Sequence, residues 1–312
     1  MSTLRYTSIP STRAGARLNV LLCLPEGRPR AVLQMTHGMV EYIGRYEELA
    51  RYLAGHGIAA VGHDHLGHGG SVASKEDYGY FGRPDGNRLL LEDIHAVTRW
   101  AKALPELAGL PWFLLGHSMG SFYARQYICE YGDELAGAIL MGTGWQPRAA
   151  VLGGRALCHL LAAFKGWHYR SRLVNSLAFG SYNRSFEPAR TPNDWLNRDA
   201  NEVDRYRAEE RCSFIFTLNG YDSLFTGLAR LCDKKLLARV PRDLPLLFLA
   251  GEDDPVGDKG RGVRKAAQSL REAGVRQIEV KLYPGARHEI LNETNRADVY
   301  KDILDWLFAH ME

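Results

Sequence analysis

Short apolar runs recur along the chain at residues 31–36, 58–62, 112–115, 137–141, 246–250 and 278–283. Most of these runs are apolar throughout instead of on alternate residues, which predicts strands buried on both faces. Between them lie stretches with helical spacing of apolar positions, at 46–55, 89–104, 121–130, 259–273 and 296–310. Strand and helix therefore alternate, and the pattern predicts a mostly parallel central sheet covered by helices on both faces. Residues 16–24 add a further apolar run before this series, expected as an antiparallel strand at one sheet edge.

The alternation fails between Gly142 and Leu244, far more chain than one connection needs. This segment carries many large apolar residues, among them Trp145, Leu157, Phe164, Trp195 and Phe225. Helical patterns at 149–164, 200–211 and 221–237 make it an expected helical cap, inserted over the C-terminal ends of the strands. The predicted division is a core of 1–143 with 241–312, and a cap of 144–240. The chain shows neither an internal repeat nor a low-complexity segment.

Composition narrows the class without naming a reaction. The chain has 312 residues, 46% of them hydrophobic and 24% charged, with a net charge of +3. That is ordinary globular composition, and the charge is too small to suggest a nucleic-acid partner. The five cysteines are scattered and form no CxxC pair, which argues against a disulfide framework or a zinc site and fits a reducing cytoplasm. The apolar run 18–24 is interrupted by Asn19 and lacks a small-residue cleavage site, so it reads as a strand and not as a signal peptide. No uncharged stretch is long enough to span a bilayer. The expectation is a soluble, cytoplasmic protein.

The chemistry concentrates at strand ends. Gly116-His117-Ser118-Met119-Gly120 follows the apolar run 112–115 and precedes a helical pattern. A G-x-S-x-G turn between strand and helix lifts its serine clear of the sheet, and glycines are needed where the flanking backbone is crowded. A serine hydroxyl needs a base, and the base needs an acid to orient it. An acidic loop, Gly251-Glu252-Asp253-Asp254, follows the run 246–250, and Pro284-Gly285-Ala286-Arg287-His288-Glu289 follows 278–283. Ser118, an aspartate of this acidic loop (Asp253 or Asp254) and His288 thus occur in the order of a serine triad on this kind of sheet. The loop His37-Gly38-Met39-Val40-Glu41 is placed to complete an oxyanion hole from the amides of Met39 and Met119. His37 and Glu41 read as residues that shape this loop. The cluster His63-Asp64-His65-Leu66-Gly67-His68-Gly69-Gly70 suggests a metal at first sight, but its spacing lacks a ligand set, and Asp64 with the glycines reads as a tight turn. No metal or cofactor is expected.

These motifs, together with Arg45-Tyr46, resemble the monoacylglycerol lipase and lysophospholipase group of α/β-hydrolases. The resemblance covers both halves of the core and implies an α/β-hydrolase fold with a helical cap after the sixth strand. It also implies Asp254 as the triad acid, carboxylic-ester hydrolysis and an acyl pocket beneath the cap. Arg190-Thr191-Pro192-Asn193-Asp194-Trp195-Leu196 links the cap more loosely to bacterial members. Ser121 stands where a third glycine often follows the elbow. The expected partner is a monoacyl lipid or small acyl ester. Arg155 and His159 suit an interfacial helix at 149–164, which allows transient membrane contact through the cap, although packing of that helix over its own core is the favoured reading. Amide hydrolysis by the same triad is the alternative activity, with Glu202, Asp204, Glu209 and Glu210 as candidate amine-binding residues. A ligand-binding protein without catalysis conflicts with three triad residue types in order. The pattern leaves the oligomeric state undefined.

Overall fold

A computed structural model describes residues 2–311. Its strands are β1 (Thr3–Pro10), β2 (Arg17–Leu24), β3 (Ala31–Thr36), β4 (Ile58–His63), β5 (Trp112–His117), β6 (Gly137–Met141), β7 (Leu246–Gly251) and β8 (Ile278–Tyr283). They form one sheet in the order β1-β2-β4-β3-β5-β6-β7-β8. β1 pairs antiparallel with β2 and β2 antiparallel with β4, and every other neighbouring pair is parallel. The expected edge strand is therefore interior: β2 lies between β1 and β4. β1 escaped the sequence pattern because, of its side chains, only Ile9 is buried, so it carries no apolar run.

The core strands are buried along their whole length, as their composition requires. Successive side chains point to opposite faces. In β5, Trp112 and Leu114 join the apolar layer on one side of the sheet, while Phe113 and Leu115 join the layer on the other. The first layer is completed by α2 (Gly86–Lys102), α3 (Met119–Tyr131) and α9 (Arg261–Glu272). α1 (Glu47–Gly55) and α10 (Arg296–Ala309) cover the second.

Five helices lie between β6 and β7: α4 (Arg148–Lys165), α5 (Arg172–Phe179), α6 (Ala200–Ala208), α7 (Leu218–Arg230) and α8 (Lys234–Leu237). The long excursion leaves the sheet undisturbed, because Ala138 to Met141 pair in register with Leu246 to Leu249. The single helix expected at 221–237 is two, since Asp233 caps a new start by accepting from the Lys235 amide at 2.9 Å. α6 stops at Ala208, and Glu210–Cys212 continues as a 3-10 turn. α5 was not foreseen. Among the described residues no two cysteines are joined, and no helix is long and apolar enough to cross a membrane.

Candidate active site

Ser118 sits between the end of β5 and the start of α3 with φ 50° and ψ −118°. A non-glycine residue persists at positive φ only where its surroundings hold it. Here the Ser118 amide donates to Met141 O at 2.9 Å, and Ser118 O accepts from the Ser121 amide at 2.9 Å and from Ser121 Oγ at 2.6 Å. The flanking glycines are required by space. A Cβ on Gly116 would lie 2.7 Å from Ala124 Cβ, and one on Gly120 would lie 2.6 Å from His37 O. Ser121, the departure from a third glycine, thus helps to hold the turn through its hydroxyl.

Asp254 lies in the turn after β7 and His288 in the loop after β8. The two loops are stitched together by Glu252 N to Tyr283 O and Asp253 N to Ala286 O, both 3.0 Å. His288 Nδ1 lies 3.0 Å from each carboxylate oxygen of Asp254, with both side chains almost fully buried. Asp254 also accepts from the Val256 amide at 2.9 Å. Asp253, the alternative acid, is not the one against the imidazole. Ser118 and His288 open into one cavity of about 1360 Å³, which Met39 and Met119 also line. Met119 is the first residue of α3, so its amide belongs to the turn of helix whose N–H groups have no partner within the helix.

The cap roofs this cavity with Val151, Leu157, Phe179, Leu224 and Phe225. The segment carrying Asp194-Trp195-Leu196 lies over His288. The Trp195 and His288 ring centroids are 5.1 Å apart, and Leu196 O accepts from the Glu289 amide at 2.8 Å.

The sequence pattern of the serine aminopeptidase S33 family matches residues 27–295, which includes the elbow, both partner loops and the cap. The chain belongs to the serine aminopeptidase S33 family. It is similar to monoglyceride lipase of Homo sapiens, at 28% identity over 91% of this chain and 84% of that protein. Monoacylglycerol lipase of Mycolicibacterium smegmatis is 25% identical over 95% of both chains. The solved structure of a thermostable carboxyl esterase from Bacillus coagulans, in complex with glycerol, superposes with a TM-score of 0.91 at 26% identity, covering 99% of each chain. The fold is that of the α/β-hydrolases, as the motifs implied.

In this S33 family member the loop after β3 is organised around Glu41, whose shaping role was expected but whose reach was not. Its buried carboxylate accepts from the Gly38 amide, from Tyr46 Oη at 2.9 Å and from Arg45 at 3.0 Å, and it lies 2.9 Å from His117 Nδ1. Arg45 also makes a two-pronged pair with Glu289, at 2.5 and 2.7 Å. Burial alone would lower the His117 imidazole, but the Glu41 carboxylate beside it prevails and raises it. Burial opposes the charged form of Glu41 too, and His117 and Arg45 overcome that to hold its carboxyl well below the usual range. His117 Nε2 lies 3.4 Å from His288 O, so this charged network underlies the histidine loop. Glu41, Arg45 and Glu289 each fall in one of the sequence motifs, but their pairing was hidden because Glu289 is 244 residues from Arg45.

The histidine-rich turn after β4 is a structural cluster. Asp64 accepts from Ile43 N and Gly70 N at 2.7 Å and from Asn19 at 2.8 Å, closing the turn. His37 Nδ1 donates to Gly38 O at 2.8 Å and its Nε2 accepts from the His65 amide at 3.0 Å, which requires a neutral ring. His68 is fixed likewise, donating to Leu66 O at 3.2 Å and accepting from the Val40 amide at 3.3 Å. Burial and the neighbouring His65 bring His37 down to about 3, and burial with His37 brings His63 to about 3. His65 and His68 are lowered far below their ordinary value by the same burial. Among the described residues no group of side chains is arranged to hold a metal ion.

Proposed function

We propose that the protein hydrolyses esters of monoacyl lipids, with monoacylglycerols as the best-supported substrate class, through Ser118, His288 and Asp254. The observation that carries this reading is the buried His288–Asp254 pair, whose His288 lines with Ser118 a large cavity roofed by apolar cap residues. The relatives named for monoglyceride hydrolysis support the same class. His288 takes the Ser118 proton as the hydroxyl attacks the ester carbonyl, and Asp254 holds the imidazole in the required tautomer. The Met39 and Met119 amides stabilise the oxyanion, the alcohol leaves with the proton from His288, and water then releases the acid. The acidic cap residues give no support to amine recognition: Glu202, Asp204 and Glu209 are paired with Arg205, Arg190 and Arg211, and Glu210 with Lys75.

Turnover of monoacylglycerols and p-nitrophenyl esters of graded chain length tests the reading. Activity should peak at a chain long enough to fill the cavity and disappear in Ser118→Ala. Faster hydrolysis of aminoacyl anilides than of any ester would overturn it.

We further propose that substrate enters from an anionic bilayer surface. Leu152, Leu160, Phe164, Tyr169, Leu173 and Leu177 are all exposed on or between α4 and α5, and Leu177 also lines the cavity. Residues 148–186 contain six Lys or Arg and no Asp or Glu; Arg155 is paired with Asp222, but Arg148, Lys165, Arg172 and Arg184 are exposed, so the face is both apolar and cationic. Flotation with phosphatidylglycerol vesicles tests it; absence of binding at low salt would refute it.

A further inference from the structure

Val40 follows the Met39 amide directly and has a φ of 56°. For a β-branched side chain this conformation is strained, and glycine is the residue that adopts it freely. The strain is held by one bond to each of the residue's backbone groups. Its N–H donates to His68 Nε2 at 3.3 Å, and its carbonyl accepts from Tyr206 Oη at 3.0 Å. Both restraints lead to the cap. Tyr206 belongs to α6, while the His68 ring packs between Phe81 and the cap residues Phe214 and Phe216, with centroids 5.3 to 5.7 Å away. The Tyr206 ring is itself seated by the Arg45 guanidinium 5.1 Å from its centroid. Tyr206 lines the cavity beside Met39 and Val40.

We propose that Tyr206 is a positioning residue through which the cap sets the direction of the Met39 amide. The Tyr206 hydroxyl clamps the Val40 peptide in its strained conformation, so the oxyanion hole is complete only while α6 sits over the cavity. A cap that lifts takes the hydroxyl with it, Val40 relaxes, and the Met39 amide turns from the place where the oxyanion forms. This couples substrate coverage to catalytic competence. The inference rests on the assignment of Met39 as an oxyanion donor under the proposed function.

The test is a cycle of Tyr206→Phe, Val40→Gly and the double variant. Tyr206→Phe keeps the ring and its cation–π contact and removes only the hydroxyl. Its kcat on a short-chain ester should fall about tenfold, less than the loss of a whole oxyanion donor, with KM within about twofold. Affinity for an alkyl boronic acid, which forms a tetrahedral adduct, should fall in parallel. Val40→Gly relieves the strain that the clamp opposes, so in that background removing the hydroxyl should cost about twofold or less. Equal losses in both backgrounds, or a Tyr206→Phe effect confined to KM, would overturn the clamp and leave the oxyanion assignment intact. A wild-type enzyme that neither hydrolyses esters nor reacts with a fluorophosphonate at Ser118 would instead remove the reading on which the clamp rests. Matched melting temperatures of wild type and Tyr206→Phe exclude simple misfolding as the cause of a loss.

Discussion

Four neutral histidines packed beside one loop make the fold acid-sensitive in a calculable way. His37, His63, His65 and His68 are fully buried, and the contacts of His37 and His68 require an acceptor nitrogen that a protonated ring lacks. A histidine held neutral in the fold takes up a proton when the chain unfolds below about pH 6.5. Stability is therefore whole above that pH and is lost as pH falls from about 6.5 toward 3, the value to which His37 and His63 are depressed. Each such proton contributes a slope of about 1.4 kcal/mol per pH unit, so four give about 5.6 kcal/mol per unit. His117, raised by Glu41, is charged in both states at the acid end of this range and adds no slope there. Glu41, lowered, adds to the loss once the unfolded carboxyl begins to protonate below about pH 5. Against a typical total of about 5–15 kcal/mol, the fold should fail within about one to three pH units below 6.5, between about pH 5.5 and 3.5.

The variant that isolates the effect is His63→Leu. Neither ring nitrogen of His63 has a protein hydrogen-bond partner among the described residues, so the substitution sacrifices no bond. Urea unfolding at pH 7.5, 6.5, 5.5 and 5.0 should give a slope about 1.4 kcal/mol per unit shallower in His63→Leu than in wild type below pH 6.5. At pH 5.0 the variant should thus gain about 2 kcal/mol relative to its difference from wild type at pH 7.5. Wild-type stability that stays flat from pH 7 to 5, or identical slopes in the two proteins, would refute the reasoning.

Asp254→Asn should lower kcat by about 10⁴-fold by leaving His288 in the wrong tautomer, while Asp253→Asn stays within a few-fold; steady-state kinetics on one ester separates them. Replacing both Phe164 and Leu160, which are 80% and 59% exposed, by Glu should reduce vesicle flotation at least about tenfold, since each substitution removes apolar area and adds a repelled charge. Turnover of a water-soluble acetyl ester should stay within about twofold, and a matching loss there would assign the effect to the cavity.

The core was legible because its strands are buried on both faces and its helices on one, so burial writes itself into the sequence as runs and periods. The elbow, the acidic loop and the histidine loop could be read for a related reason: each follows such a run. β1 was not legible, because a strand that buries little but Ile9 has no reason to be apolar. The same holds for the interior placement of β2, which depends on what pairs beside it. α5 was hidden by Leu173 and Leu177, apolar residues that face solvent and so break the correspondence between pattern and burial. The Glu41–Arg45–Glu289 network was beyond reach because nothing in local spacing announces a salt bridge closed by tertiary structure. Val40 shows the reverse limit, since its residue type argues against the conformation it occupies.

The pairing of β6 with β7 across the inserted helices also bears on how the chain is made. Everything from β1 to β6, including Ser118 on its turn, leaves the ribosome before the cap, and the cap before β7 and β8. Contacts that close across so long a loop form late and slowly. Ser118 is thus synthesised well before Asp254 and His288, which follow a cap already made. Under the proposed triad, a nascent or truncated chain carries Ser118 without His288, and esterase activity is expected only once the final strands dock.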